Sequence, residues 1–182
     1  MKILTGSLKG REINFRPNSY LRPTGDKVRK AMFDTLQNLV GGAVVLDLFS
    51  GTGALGIEAL SAGASEAVFV ESNRPQAKRI SENLKALGLE ARGVVLNQDV
   101  IGAIQDLNLN KRIFDIVFVD APYGKGWERR LAAAMASHPV ISERSWIVME
   151  CPDKGAVPST IGALLKKKEK IYGDTRVVIY GG

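Results

Sequence analysis

Two short segments carry residue types that could do chemistry together. The first is Asp47-Leu48-Phe49-Ser50-Gly51-Thr52-Gly53-Ala54-Leu55-Gly56, followed by Glu71, 20 residues after Gly51. The second is Asp120-Ala121-Pro122-Tyr123, which ends the apolar run Phe114–Val119. Glycines in a strand-to-helix turn let the backbone bend tightly and let a ligand approach with no Cβ in the way. A carboxylate at Glu71 could accept hydrogen bonds from both hydroxyls of a ribose.

A G-x-G-x-x-G turn with a downstream acid does not by itself distinguish the adenosine of NAD from that of S-adenosylmethionine (AdoMet). Asp47 and Phe49 ahead of the glycines favour AdoMet, because Asp47 could accept from its cationic amino-acid end, which a dinucleotide lacks. Asp99 could accept from an adenine amine; its plainer role is a helix N-cap. Tight strand–helix packing is the plainer role for the glycines. The tetrapeptide suits methylation of an exocyclic base amine, a poor nucleophile because its lone pair is delocalised into the ring. Asp120 could accept one N–H and the Ala121 carbonyl the other, drawing the lone pair out of the ring plane toward a sulfonium methyl. Positioning then does most of the catalysis. Tyr123 offers a stacking face for a base that has left its own stack, and Pro122 stiffens the turn through its fixed φ. An ordinary strand-to-loop turn is the alternative.

These residues need a frame that brings strand ends together. Short apolar runs at Ala43–Leu48, Ala67–Val70, Gly93–Leu96, Phe114–Val119 and Trp146–Glu150 read as strands. They alternate with helical patterns at Ala54–Ala62, Pro75–Leu87, Val100–Leu107 and Trp127–Ser137. An earlier helix follows Arg22-Pro23-Thr24, with Thr24 as N-cap, Asp26 in its first turn and Gly41-Gly42 after its end. A helix is expected near Thr160–Leu165, then an antiparallel hairpin of Lys170–Tyr172 and Val177–Tyr180 about Gly173-Asp174. Repeated βα units imply an α/β, Rossmann-like, mostly parallel sheet with helices on both faces. Ligands then bind beyond the C-terminal strand ends, where Asp47–Gly53, Glu71, Asp99 and Asp120–Tyr123 fall.

A chain of 182 residues that is 45% hydrophobic and 24% charged fits one globular domain. No apolar run reaches the roughly 18 residues of a membrane span. The first residues lack the apolar core of a signal peptide, so a cytoplasmic protein is expected. The single cysteine, Cys151, excludes an intrachain disulfide and a cysteine-based zinc site, so no metal is expected. The net charge of +6 lies wholly in residues 1–30, which hold eight basic and two acidic residues. Residues 1–24 read as a basic hairpin or arm and 25–182 as the catalytic domain. A basic lobe on a neutral domain suggests a polyanionic partner, with Lys9, Arg11 and Arg22 as candidate RNA contacts. The Lys166-Lys167-Lys168-Glu169-Lys170 run reads as a solvated face or a second phosphate contact. His138 and Cys151 carry no nucleophile motif, and Trp127 and Trp146 read as packing residues.

The set Arg22-Pro23-Thr24-x-Asp26-x-Val28-Arg29, Asp47-Leu48-Phe49-Ser50-Gly51-Thr52-Gly53, Glu71 and Asp120-Ala121-Pro122-Tyr123 resembles the RsmD family of bacterial 16S ribosomal RNA guanine-N2 methyltransferases. The likeness spans nearly the whole chain, including Gly6 and Lys9-Gly10-Arg11. It implies a seven-stranded class I methyltransferase sheet, with AdoMet near Asp47, Phe49, Gly51, Gly53, Glu71 and Asp99. It implies Asp120 and Tyr123 at a target guanine, the guanine 966 N2 modification, on an assembled or late-assembly small ribosomal subunit. A monomer is expected. Where the family has Asp-Pro-Pro-Tyr, this chain has Ala121, which keeps the carbonyl and loses some rigidity. The rivals are a DNA or other RNA base-amine methyltransferase acting on adenine, a nicotinamide-dependent oxidoreductase, and a ribosome-assembly factor without catalysis.

Overall fold

The computed structural model describes residues 1–15, 24–122, 126–154 and 156–182. Arg22 and Tyr123 therefore lie outside the described residues. The apolar runs become β1 (Val44–Leu48), β2 (Glu66–Val70), β3 (Gly93–Leu96) and β4 (Phe114–Asp120). The fifth, β5 (Ile141–Pro152), is longer at both ends than its apolar centre suggests: half-buried Ile141 still pairs with Phe114 of β4, and the exposed residues after it span a register shift. Helices α1 (Asp26–Leu36), α2 (Ala54–Ser61), α3 (Arg74–Leu87), α4 (Val100–Leu109) and α5 (Trp127–Ser137) fill the intervals.

Helix ends follow local chemistry. Asn73 caps α3 by accepting from the Gln76 N–H, Pro75 sits in the first turn, and Gly88 closes the helix at φ 70°. Thr24 does not cap α1. The helix begins one residue later than that role needs, Gly25 is its N-cap, and the threonine hydroxyl turns elsewhere.

The sheet order is β3-β2-β1-β4-β5-β8-β7-β6. The first five strands are parallel; β8 (Thr175–Gly181) pairs antiparallel with β5, and β7 (Leu164–Tyr172) pairs antiparallel with β8. The expected hairpin at Gly173-Asp174 is present. The expected helix at Thr160–Leu165 is not: Thr160 and Ile161 form β6 and turn through Gly162, at φ 57°, to pair with Leu164 and Leu165. Ile161 and Leu164 are both buried, and a turn brings them to one side of the sheet as a short helix would. This two-residue strand makes the sheet eight-stranded rather than seven-stranded. The order in which strands are added reverses between β1 and β4, which run parallel, so the crevice for a ligand opens at their C-terminal ends.

One core lies under α1, α2 and α3, with Phe33, Leu36, Ile57, Ile80, Phe69 and Phe118 among its members. The other lies under α4 and α5, built on Ile104, Leu131, Met135, Val117 and Ile147. The N-terminal segment is docked on the first face. Met1–Ile13 folds back on itself, with the Ile3 N–H donating to Arg11 O and the Ile13 N–H to Met1 O. Ile3 and Ile13 are each 1% exposed. The buried Glu58 carboxylate of α2 accepts from the Leu4 and Thr5 N–H groups and from the Thr5 hydroxyl. Arg29, fully buried on α1, donates to Lys2 O. A side chain at Gly6 would collide with Ser61 O, which fixes glycine there. Among the described N-terminal cations, Arg29 and Arg11 are thus structural in part: Arg29 sits in the core, and Arg11 donates to Ala86 O at the end of α3, where a cation offsets the helix dipole.

Candidate functional site

Four adjacent strands deliver acids to the same crevice. Asp47, on β1, is 1% exposed, and its Oδ2 accepts from the Gly56 N–H at 2.9 Å. Glu71 follows β2 and organises the glycine loop: its Oε2 accepts from the Gly51 N–H at 2.8 Å and its Oε1 from the Asn73 N–H at 2.7 Å. Asp120 ends β4, and its Oδ2 accepts from the Thr24 hydroxyl at 2.9 Å. Glu150, on β5, stands opposite Asp120 in register and is 8% exposed.

The charges of Asp47 and Asp120 are poorly accommodated. Burial pushes Asp47 up to about 8, helped by the nearby Asp120 and Glu71 carboxylates and opposed by the Gly56 hydrogen bond. Burial pushes Asp120 up to about 7, with Glu150 raising it further and Thr24 pulling it down. Asp47 feels both Asp120 and Glu71, so the three carboxylates share one field. A crevice of this kind suits a ligand that brings positive charge. AdoMet carries a sulfonium and an ammonium; a nicotinamide dinucleotide carries two phosphates, which these acids would repel. The residues present therefore fit AdoMet, with Asp47 and Glu71 as the groups that would hold its cationic and ribose portions.

The loop between them is built for close approach. Phe49 adopts φ 60°, a costly conformation for a side chain of its size. It is held by an edge-on contact with Trp127, ring centroids 4.8 Å apart. Gly56 fixes the spacing of α2 against β2, since a Cβ there would come within 2.3 Å of the Phe69 ring. Gly51 and Gly53 both have positive φ, 54° and 75°. Asp99 caps α4: its Oδ1 accepts from the Ile101 and Gly102 N–H groups at 3.0 Å each. Ala121 is buried and Pro122 exposed directly after Asp120. Arg130 stacks its guanidinium on the other aromatic of the site edge, 3.9 Å from the Trp127 ring centroid.

Asp47, Phe49, Gly51, Gly53, Glu71, Asp120, Ala121 and Pro122 are thus gathered at one end of the sheet. Lys9 and Arg11 are not. They sit on the exposed tip of the N-terminal hairpin, beside Ser61 and Ala86, where α2 and α3 end. These helices start at the crevice, so the tip is about one α3 length away, 14 residues or roughly 21 Å. Thr24 and Glu150 are the members of the site that sequence reasoning missed. A signal for Glu150 was available: Glu150-Cys151-Pro152 repeats the acid-x-proline ending of Asp120-Ala121-Pro122 after an apolar strand.

Fold and site together define an S-adenosylmethionine-dependent methyltransferase of the Rossmann-like class. The chain belongs to the family described as "Conserved hypothetical protein 95", which matches residues 1–181, and the resemblance to the RsmD family is borne out. It is 32% identical over 180 residues to "Putative rRNA methyltransferase YlbH" of Bacillus subtilis (strain 168), covering 99% of this chain and 98% of that one. It is 28% identical over 180 residues to "Ribosomal RNA small subunit methyltransferase D" of Escherichia coli (strain K12), covering 99% and 89%. Among solved structures, "Putative methyltransferase yhhF from Escherichia coli" superposes with a TM-score of 0.83 at 28% identity, covering 99% and 96%.

Proposed function

We propose that this protein transfers a methyl group from AdoMet to the exocyclic N2 amine of a guanine in 16S ribosomal RNA, the guanine 966 modification. The observation that carries the reading is the placement of Asp120. It is a buried carboxylate at the switch point, pinned by Thr24 and followed by a carbonyl, at the edge of a crevice whose other acids suit a cationic cofactor. The names of the relatives, which are ribosomal RNA methyltransferases, supply the substrate class.

Bound AdoMet supplies a methyl group carried on a sulfonium. The chain supplies the rest. The Thr24 hydroxyl holds one oxygen of Asp120, leaving the other for a base N–H. The Ala121 carbonyl, present whatever side chain the position carries, accepts the second N–H. With both N–H groups engaged, the nitrogen lone pair points out of the ring plane, and in-line displacement follows from position. Methylation of the amine would require one of its protons to leave. Asp120, whose affinity for protons is raised to near neutrality, is suited to receive it. Tyr123 is proposed as the stacking surface for the flipped base. Asp99 is proposed at the adenine, in addition to its role as a cap.

The test is the Asp120→Ala variant with small subunits as substrate. It is expected to bind AdoMet with wild-type affinity and to transfer no methyl group. Full activity in that variant would remove Asp120 from the mechanism. Label found in adenine would keep the chemistry and change the base.

A further inference from the structure

The hairpin tip lies roughly 21 Å from the crevice by the length of α3, so an RNA substrate needs a nearer anchor beside its target base. A groove of about 460 Å3, lined by Lys27, Val28, Lys170, Ile171, Tyr172 and Gly173, lies between the first turn of α1 and the β7–β8 hairpin. Sheet register fixes its place. Asp120 pairs with Glu150, Glu150 with Val177, and Val177 with Lys170. Lys170 is thus three strands from Asp120 in one row, about 14 Å at a strand spacing of 4.7–4.9 Å.

Partners in register share a face, and this one is the α1 face, since Phe118, Val148, Val177 and Ile179 all pack into the core beneath α1. Lys168 stands opposite Ile179 and Lys170 opposite Val177, so both lysines look to that side. The Lys170 ammonium lies 5.3 Å from the Tyr172 ring centroid, and that ring packs on the same core. Lys27 arrives from α1, three residues after the threonine that holds Asp120. Of the acids nearby, Asp26 is turned onto Arg29 at 2.9 Å, Glu169 is engaged by Lys166 and Arg176 on the opposite face, and Asp174 follows Gly173 in the hairpin turn. Among the described residues, Lys27, Lys168 and Lys170 have no carboxylate within ion-pair distance.

We propose that this groove is an RNA phosphate site. Lys27 and Lys170 clamp the backbone of the strand flanking the target base, and Lys168 continues the track along the exposed strand β7. Charge complementarity, the continuous row from Asp120 and the lack, among the described residues, of a carboxylate ion-paired to these lysines argue for a polyanion here. Edge lysines that only prevent strand pairing would need no second cation from a helix. The proposal rests on the reading of the chain as an RNA methyltransferase, and it adds the location of the RNA.

The test measures binding of a small-subunit rRNA transcript as a function of potassium chloride for three proteins. These are the wild type, Lys27→Gln/Lys170→Gln, and the charge-matched control Lys111→Gln/Arg144→Gln, which alters the far end of the sheet. Two lost contacts to single-stranded phosphates should reduce the slope of log K against log salt by about 1.4. The control should keep the wild-type slope, and AdoMet affinity should be equal in all three, which checks the fold. Equal slopes in the two double variants would overturn the groove. So would loss of binding to anionic phosphatidylserine vesicles in the groove variant with its RNA binding intact. Wild-type protein that methylates no RNA, but binds it with the predicted difference in slopes, would defeat the proposed reaction and leave the groove standing.

Discussion

Replacing Asp47 with asparagine separates the cofactor role of this carboxylate from its effect on stability. The amide has the same shape and can still accept from the Gly56 N–H, now 2.9 Å from Asp47 Oδ2, but it cannot ionise. In the folded protein without ligand, Asp47 titrates near 8, against 3.8 ordinarily. Between those values the native state keeps a proton that the unfolded chain has released. Stability therefore falls as pH rises, by about 1.4 kcal/mol per pH unit, and levels off above about 8. Below the unfolded value the penalty is absent. Asp47→Asn escapes it, so its advantage over wild type should grow by about 2.7 kcal/mol between about pH 5.5 and 7.5. For a chain of this size that widens the gap in Tm by roughly 5–11 °C. Urea unfolding followed by tryptophan fluorescence at the two pH values reads it directly. AdoMet affinity should move the other way: weaker in the variant at every pH, and rising toward pH 8 in wild type only. Parallel stability curves for the two proteins would mean that Asp47 is already ionised in the native state, and the argument that the crevice demands a cation would fall.

Asp120 gives a paired prediction in a pH–rate profile. Activity of the free enzyme should rise through an apparent midpoint near 7. Glu150→Gln should move that limb to lower pH by removing a like charge, and Thr24→Val should move it higher by removing a bond to the carboxylate. Shifts of the same sign in both variants would contradict the assignment. Gly56→Ala forces a Cβ to within 2.3 Å of the Phe69 ring and should cost about 1–3 kcal/mol. A thermal melt unchanged by that substitution would show that α2 moves freely on β2. Lys9→Gln should flatten the salt dependence of RNA binding by about 0.7 in slope, with AdoMet affinity unaffected. An unchanged slope would make Lys9 a solvated residue and nothing more.

The chemistry of the crevice was legible wherever it lay within one strand-to-loop junction. Asp47, the glycines, Glu71 and Asp120 each follow an apolar run, and parallel strands carry such positions to one edge of the sheet. Contacts made across the fold were not legible. Thr24 has the type and position of a helix cap, and only the docking of α1 over β4 turns its hydroxyl to Asp120, 96 positions away. Glu150 becomes a neighbour of Asp120 through register, which a one-dimensional pattern does not encode. The basic N-terminus showed its charge but not its anchorage. Glu58 lies in a helix that reads as apolar, yet it accepts from two backbone amides of the hairpin. The stretch Thr160–Leu165 is too short for periodicity to separate a helical turn from a tight hairpin.

The central claim, methylation of a guanine amine in small-subunit RNA, is tested most directly by one measurement. Small ribosomal subunits lacking the modification are incubated with labelled AdoMet and the protein, and the digested nucleosides are identified by mass. The account predicts label in N2-methylguanosine with wild-type protein and none with Asp120→Ala. Label in any other nucleoside, or no label while AdoMet binding is intact, would contradict it.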